Sequence, residues 1–344
     1  MLSTNPTGGL NPHSQATQTT QPSCFHQSSS GALWLRKNLF TLIYYSFALI
    51  CLTAPFYLLG TVPGAKAASG SYYSGEDLKG IWQRTESLLK AGSYDYNGKK
   101  VSIDKPDQTT RQNAVLYSST AFENLGHNTS FQVVNQDAVY TAMDLKKQVD
   151  KVALLNPANA YRPGGGTRRG AAAMEEDLCR RSALLPELEK QSYPLKGSTL
   201  LYTADVPFFR YGRDRQYAFM EKPVALSVIT SAALDLNPEH NPVKNYRDNP
   251  TAFKEKTWKR AYAQLWKAAE EGNKAVVLAA FGCGAFQNDP EVVARIYRDV
   301  LETKFKGVFE NVTFAVLDDH NAKKPHNPHG NYFPFYEVFV EGKE

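Results

Sequence analysis

Hydrophobic spacing along the chain alternates between two periods. In residues 75–91 (GEDLKGIWQRTESLLKA), Leu78, Ile81, Trp82, Leu88 and Leu89 recur at helical spacing and predict an amphipathic helix. Residues 93–103 predict a short hairpin with Asn97-Gly98 at its turn. Short apolar runs at 131–134, 152–156, 199–203, 224–230, 275–281 and 312–317 read as strands. Helical patterns fall between them at 137–149, from near Gly170 to about Leu185, at 253–271 and at 290–305. Pro186 discourages continuation of the second, and Asp289 suits the N-cap of the last. Strands alternating with helices predict an α/β domain whose parallel or mixed sheet is covered on both faces. There is no internal repeat.

The first part of the chain departs from this pattern. Residues 1–32 are rich in Ser, Thr, Gln, Asn, Pro and Gly and lack the apolar surface to offset chain entropy, so they read as a disordered tail. Arg36 and Lys37 then precede an uncharged run from Asn38 to Ala65, with its apolar centre at 39–62. As a helix this run is long enough to cross a bilayer, and the basic pair favours a cytoplasmic N-terminus. Two readings stay open for 33–67. One is a secretory signal cleaved near Ala67, at Ala65-Lys66-Ala67, which makes the body secreted or periplasmic; the other is a retained membrane anchor. In both, membrane contact is confined to this segment and the body leaves the cytoplasm.

Charge follows the same division. The chain of 344 residues carries a formal net charge of +5, but Arg36, Lys37 and Lys66 are the only charged residues of 1–67, so the remainder sits near +2. That is no basic field for duplex nucleic acid. Of the four cysteines, only Cys179 and Cys283 lie in the body, and two buried thiols are the expected reading rather than a disulfide framework.

The informative feature is a layout that occurs twice. A buried strand runs into a glycine-rich loop that opens a helix, at 152–176 and again at 275–300. Such loops bring backbone N–H groups close to phosphates, and two on neighbouring strands suit a diphosphate. No Walker-type G-x-x-x-x-G-K-[ST] is present, and Gly282-Cys283-Gly284-Ala285-Phe286-Gln287 lacks the last glycine of a dinucleotide fingerprint. Beside the first loop stand Met174-Glu175-Glu176-Asp177. Adjacent helical side chains point about 100° apart, so Glu175 and Glu176 do not bracket one glycosidic bond; the spacing suits one working carboxylate with a neighbour that holds substrate.

The segments VALLNPANAYRPGGGTRRGAAAMEEDLCRRS (152–182), YTADVPFFR (202–210), SVITSAA (227–233) and VLAAFGCGAFQNDP (277–290) resemble the bacterial-type poly(ADP-ribose) glycohydrolases over roughly residues 78–340. The resemblance implies a macrodomain-like three-layer α/β/α sandwich with a mixed central sheet and an N-terminal helical extension. Residues 68–130 would be an accessory part of the catalytic domain and 131–344 the ADP-ribose-processing core. The implied activity is hydrolysis of ADP-ribose glycosidic linkages, in poly(ADP-ribose) or on a modified protein, without metal or other cofactor. By position, Glu176 would be the catalytic acid and Glu175 would bind ribose hydroxyls. Gly164, Gly165 and Gly166 would shape the loop around the distal ribose. Gly282, Cys283, Gly284, Ala285 and Phe286 would cradle the diphosphate, and Asn156 and Asn159 would flank the first loop as further substrate-binding positions.

One departure matters: Met174 stands where the family has Gln. A shift toward single ADP-ribose units, or a module that binds without cleaving, are the alternatives it raises. Arg168 and Arg169 read either as contacts for polymer phosphates or as solvated charges. Asp318, Asp319, His320, His326 and His329 match no regular metal-ligand spacing and read as a polar loop. Tyr332, Phe333, Phe335 and Tyr336 suit core packing or a lid over adenine.

Overall fold

Residues 74–113, 120–240, 248–318 and 322–342 are described by the computed structural model. The expected signal or anchor at 33–67 lies outside them. Among the described residues no helix is long and apolar enough to cross a membrane.

The described residues open with α1 (Gly75–Ala91), started by Ser74 and Asp77, which cap each other's backbone N–H, and stopped by Gly92 in the left-handed conformation. The hairpin of β1 (Ser93–Tyr96) and β2 (Lys99–Ser102) follows, with Asn97-Gly98 at its turn as expected. Next come β3 (Thr109–Gln112), β4 (Ser130–Val134), α2 (Ala138–Leu145) and β5 (Val152–Ala158). A 3-10 turn at Thr167–Arg169 leads to α3 (Met174–Arg181) and α4 (Leu184–Glu189). Then follow β6 (Leu200–Arg210), β7 (Phe219–Ala232), α5 (Pro250–Glu270), β8 (Ala275–Leu278), α6 (Pro290–Lys304), β9 (Asn311–Ala315) and α7 (Tyr332–Phe339).

Seven strands form one mixed sheet in the order β3-β6-β7-β5-β8-β9-β4. The pairs on either side of β6 are antiparallel and the other four are parallel. Alternation along the central strands builds a core on each face. Ala153, Leu155, Val276, Leu278 and Ile229 pack toward α5, α6 and α7, while Val152, Leu154, Ala275, Val277 and Val228 pack toward α2, α3 and α4. This is the three-layer α/β/α arrangement expected from the sequence. The parallel strands all end at one edge, so the loops after β5, β7, β8 and β9 gather there, where ligands bind in sheets of this kind.

Several elements differ from the sequence reading. The polar Thr109–Gln112 segment pairs with β6 at the edge of the main sheet, where one-sided polarity gave no strand pattern. The helix expected from Gly170 to Leu185 is broken at both ends. Gly170 takes φ 81°, α3 begins only at Met174, and Ser182 leaves the helix in an extended conformation to bridge Phe208. Pro186 does not end a helix; it lies in the first turn of α4, where no N–H is required. The aromatic run 332–336 is helical, and Phe335 is fully buried against Phe314 at 5.0 Å between ring centroids, so that residue is core rather than lid. Cys179 and Cys283 are buried free thiols, as expected.

Candidate active site

The first glycine loop closes over the carboxylates of α3. Gly166 donates its N–H to Glu176 Oε1 at 2.8 Å, and Asn159 donates its N–H to Glu175 Oε2 at 2.7 Å. Gly165, between them, has φ +57°. A Cβ there would lie 2.4 Å from Glu176 Oε1 and 3.0 Å from Glu175 Oε2. The two carboxylates therefore converge on one point under the loop, although their positions on the helix diverge. The bend is what the positive φ of Gly164 and Gly165 permits, tied by Thr167 Oγ1 to Gly164 O at 2.6 Å and by Gly165 N to Arg162 O at 3.0 Å.

Both glutamates are buried, at 3% exposure for Glu175 and 7% for Glu176. Each has one oxygen bound to the loop and one buried oxygen, Glu175 Oε1 and Glu176 Oε2, without a protein partner. Burial pushes the Glu175 carboxyl up to about 8, with the Glu176 charge adding to the rise. The Asn159 N–H bond opposes it most, with a weaker polar influence from Asn156 and Gly164. Burial thus favours the neutral form of Glu175, which lessens the negative charge an anionic ligand would meet.

Asn156 and Asn159 behave differently from one another. Asn159 is part of the loop: its Oδ1 accepts from the N–H groups of Tyr161 and Arg162, at 2.9 and 3.0 Å. Asn156 is fully buried at the end of β5, donates Nδ2 to Thr230 Oγ1 at 3.2 Å, and leaves Oδ1 unpartnered. Met174 is half-buried against the apolar cluster of α2, α3 and α4 and brings no polar atom to the pair beside it.

The second loop follows β8, the parallel neighbour of β5, so both loops emerge side by side. Gly282 takes φ +78°; a Cβ there would meet Asn288 Nδ2 at 2.3 Å and Ala233 Cβ at 2.7 Å. The N–H groups of Cys283, Gln287 and Asn288 are engaged by the carbonyls of Ala280, Gly284 and Gly282. Those of Gly284, Ala285 and Phe286 have no protein acceptor among the described residues and are free for an anion. Cys283 thus departs from the expected ligand-binding part: its side chain is buried and its N–H is already used, so it shapes the loop from beneath. The Phe286 ring is half-buried at the tip, edge-on to His240 at 6.5 Å, and its carbonyl accepts from Leu236 N at 2.9 Å. From the loop after β9, His326 Nε2 lies 2.8 Å from Cys283 O, while Asp318 accepts from the N–H groups of Asn331 and Tyr332 at the start of α7. Asp319 and His320 lie outside the described residues.

Sequence reasoning missed the scaffold that fixes this geometry. Arg180 is fully buried and donates to Leu78 O, Thr167 O and Ala171 O at 3.1, 3.2 and 2.6 Å, binding α1 to the loop. Arg181, equally buried, grips Asp137 Oδ2 at 2.7 Å and Asp177 Oδ2 at 2.9 Å. A basic pair at the C-terminal end of an acidic-to-basic helix equally suits an exposed complement to the helix dipole. Their burial has no signature in sequence.

The fold defines a macrodomain-like α/β protein with two glycine loops and a buried carboxylate pair at the edge where its parallel strands end. Residues 83–211 match the family described as "Microbial-type PARG, catalytic domain", PARG being poly(ADP-ribose) glycohydrolase. The structure is similar to the Thermomonospora curvata poly(ADP-ribose) glycohydrolase, solved alone and bound to the inhibitor ADP-HPD. Both share 28% identity and cover 77% of this chain and 100% of that one, with TM-scores of 0.66 and 0.64. It is also similar to the Deinococcus radiodurans poly(ADP-ribose) glycohydrolase in complex with ADP-ribose, at 28% identity, 76% and 90% coverage and a TM-score of 0.52. A comparison with curated protein sequences gives no match. Sequence and fold are thus similar to those of the bacterial poly(ADP-ribose) glycohydrolases, in line with the resemblance.

Proposed function

We propose that this protein hydrolyses ADP-ribose glycosidic linkages, in poly(ADP-ribose) or on a modified protein, and releases ADP-ribose. The observation that carries this is the convergence of Glu175 and Glu176 under Gly165, next to a second loop with free N–H groups. Cleavage of a ribose glycoside passes through an oxocarbenium-like transition state. Glu176, held by Gly166 N–H through one oxygen, has its other oxygen unpartnered; in its protonated form it gives that proton to the departing oxygen, and as the resulting carboxylate it takes one from the attacking water. Glu175, its neutral form favoured by burial, offers a hydrogen-bonding group to a ribose hydroxyl. The free N–H groups of Gly284, Ala285 and Phe286 receive the diphosphate.

A second reading, a module that binds ADP-ribose without turnover, is favoured by Met174, which cannot make the hydrogen bonds of the family's Gln. Incubation with labelled poly(ADP-ribose) and with mono-ADP-ribosylated protein separates the two. Release of ADP-ribose by wild type and not by Glu176→Gln, with ADP-ribose binding retained in the variant, supports the hydrolase. Binding without release by wild type supports the reader.

We further propose an exported or membrane-anchored location, supported by the basic pair, the apolar run 39–62 and Ala65-Lys66-Ala67. Recovery of the intact chain in the soluble cytoplasmic fraction of the producing cell would sink it.

A further inference from the structure

Arg168 and Arg169 are adjacent, exposed, and differently employed. Arg168 is consumed by structure: Nη1 pairs with Glu86 at 2.7 Å, Nη2 pairs with Glu189 at 3.0 Å, and its guanidinium lies 5.2 Å over Trp82. Arg169 has no ion pair among the described residues. Its position is marked by Gly166. A Cβ on Gly166 would meet Ala171 Cβ at 2.6 Å, with Glu176 Oε1 at 3.6 Å and Arg169 Nη2 at 3.8 Å, so carboxylate and guanidinium both lie close to Gly166. The N–H of Arg169 is tied to Gly166 O at 2.8 Å, which fixes the base of the side chain.

We propose that Arg169 is a specificity-determining residue that binds a phosphate on the leaving-group side of the scissile bond and so favours polymeric ADP-ribose over a single unit on a protein side chain. The inference rests on the hydrolase reading and names its substrate class. The diphosphate of the released unit has its own cradle in the second loop. Arg169 belongs to the first loop, beside the glutamates, where the bond breaks. In the polymer the leaving group is the next unit, whose ribose carries a diphosphate close to the departing oxygen. A protein side chain as leaving group carries none. A guanidinium matches phosphate geometry with paired donors and adds positive charge where an anionic chain would lie.

The test compares Arg169→Ala and Arg169→Lys with wild type on poly(ADP-ribose) and on mono-ADP-ribosylated protein. Exposure of the side chain predicts unchanged melting temperatures. The polymer-to-mono ratio of kcat/KM is expected to fall about tenfold in Arg169→Ala, through a raised KM for polymer, and less in Arg169→Lys. Added salt should shrink the difference. An unchanged ratio, or equal losses on both substrates, overturns the proposal. Should wild type release no ADP-ribose from either substrate, the hydrolase reading fails separately, and binding decides. Polymer binding about tenfold weaker in Arg169→Ala, with free ADP-ribose binding unchanged, sustains the phosphate contact. Equal polymer affinities, or no polymer binding by wild type, overturn it.

Discussion

Gly166 and Glu176, ten positions apart, are joined by a 2.8 Å hydrogen bond from backbone N–H to Oε1, and that bond decides which carboxylate oxygen remains for chemistry. Loop and helix are thereby one device: moving the loop turns the glutamate, and turning the glutamate releases the loop. The residues that hold the loop are consequently as open to test as the glutamates.

Gly165→Ala places a methyl group on both carboxylates and asks a non-glycine residue to hold φ +57°. The strain alone costs about 1–2 kcal/mol. The expected result is a folded protein with a modestly lowered melting temperature and a kcat reduced about a hundredfold or more, because displaced acids lose their reach. Circular dichroism melts beside ADP-ribose release assays check both halves. Wild-type turnover would show that the two carboxylates need not converge.

Glu175 gives a pH dependence with a defined sign. Its carboxyl is raised from the ordinary 4.5 to about 8, so the folded state holds this proton more tightly than the unfolded chain. The contribution to stability is fully present below about 4.5 and is lost as pH rises toward and through 8. Glu175→Gln removes the ionisation and should raise the melting temperature more at pH 8.5 than at pH 5, by an amount on the order of a few kcal/mol in stability. Equal shifts at both pH values would count against a buried proton at this position.

Arg180 ties three carbonyls of α1 and the loop to α3. Arg180→Met takes the donor from Ala171 O and the second donor from Thr167 O, which Gly170 N–H also serves, at about 1–3 kcal/mol for a group that water cannot reach. A large drop in denaturant midpoint is expected, with Arg180→Lys intermediate. Hydrogen exchange should quicken first in residues 164–171 and in the first turn of α1. Uniform acceleration across the sheet would instead make Arg180 a general core residue.

Asp137 has two employments. Its Oδ1 caps α2 through Val139 N and Tyr140 N, both at 3.0 Å, and its carboxylate faces Arg181. Asp137→Asn keeps the cap and removes the charge; Asp137→Ala removes both. The alanine variant should therefore be less stable than the asparagine variant by about 1 kcal/mol, the usual worth of an N-cap, as read from urea midpoints. Identical midpoints would show that only the ion pair matters.

How much of this was legible beforehand differs between elements. The buried strands at 152–156 and 275–278 and the helix at 290–304 announced themselves because burial on both faces, capping and proline placement are local properties. Edge strand Thr109–Gln112 did not, and the runs at 199–203 and 224–230 announced two strands but not the length or pairing of the β6–β7 ladder, because pairing comes from neighbours distant in sequence. The acids and glycines of the site were legible as a motif, since phosphate approach demands small residues and glycosidic cleavage demands a carboxyl group.

The sequence by itself determined the two strand–glycine–helix units, the identity of the paired acids, the substitution at Met174 and the resemblance to a glycohydrolase family. Only the tertiary structure decided that Glu175 and Glu176 converge, that burial favours the neutral form of Glu175, that the Cys283 N–H is already spent, and that Arg168 is tied while Arg169 is not. The reason is physical. Residue type and spacing fix which groups are available, whereas proton affinity, free donors and unpaired charges depend on burial and on contacts between segments far apart in the chain. Arg180 shows the limit most plainly: its carbonyl partners Leu78, Thr167 and Ala171 come from two other elements, and nothing in the local string MEEDLCRR marks it as buried.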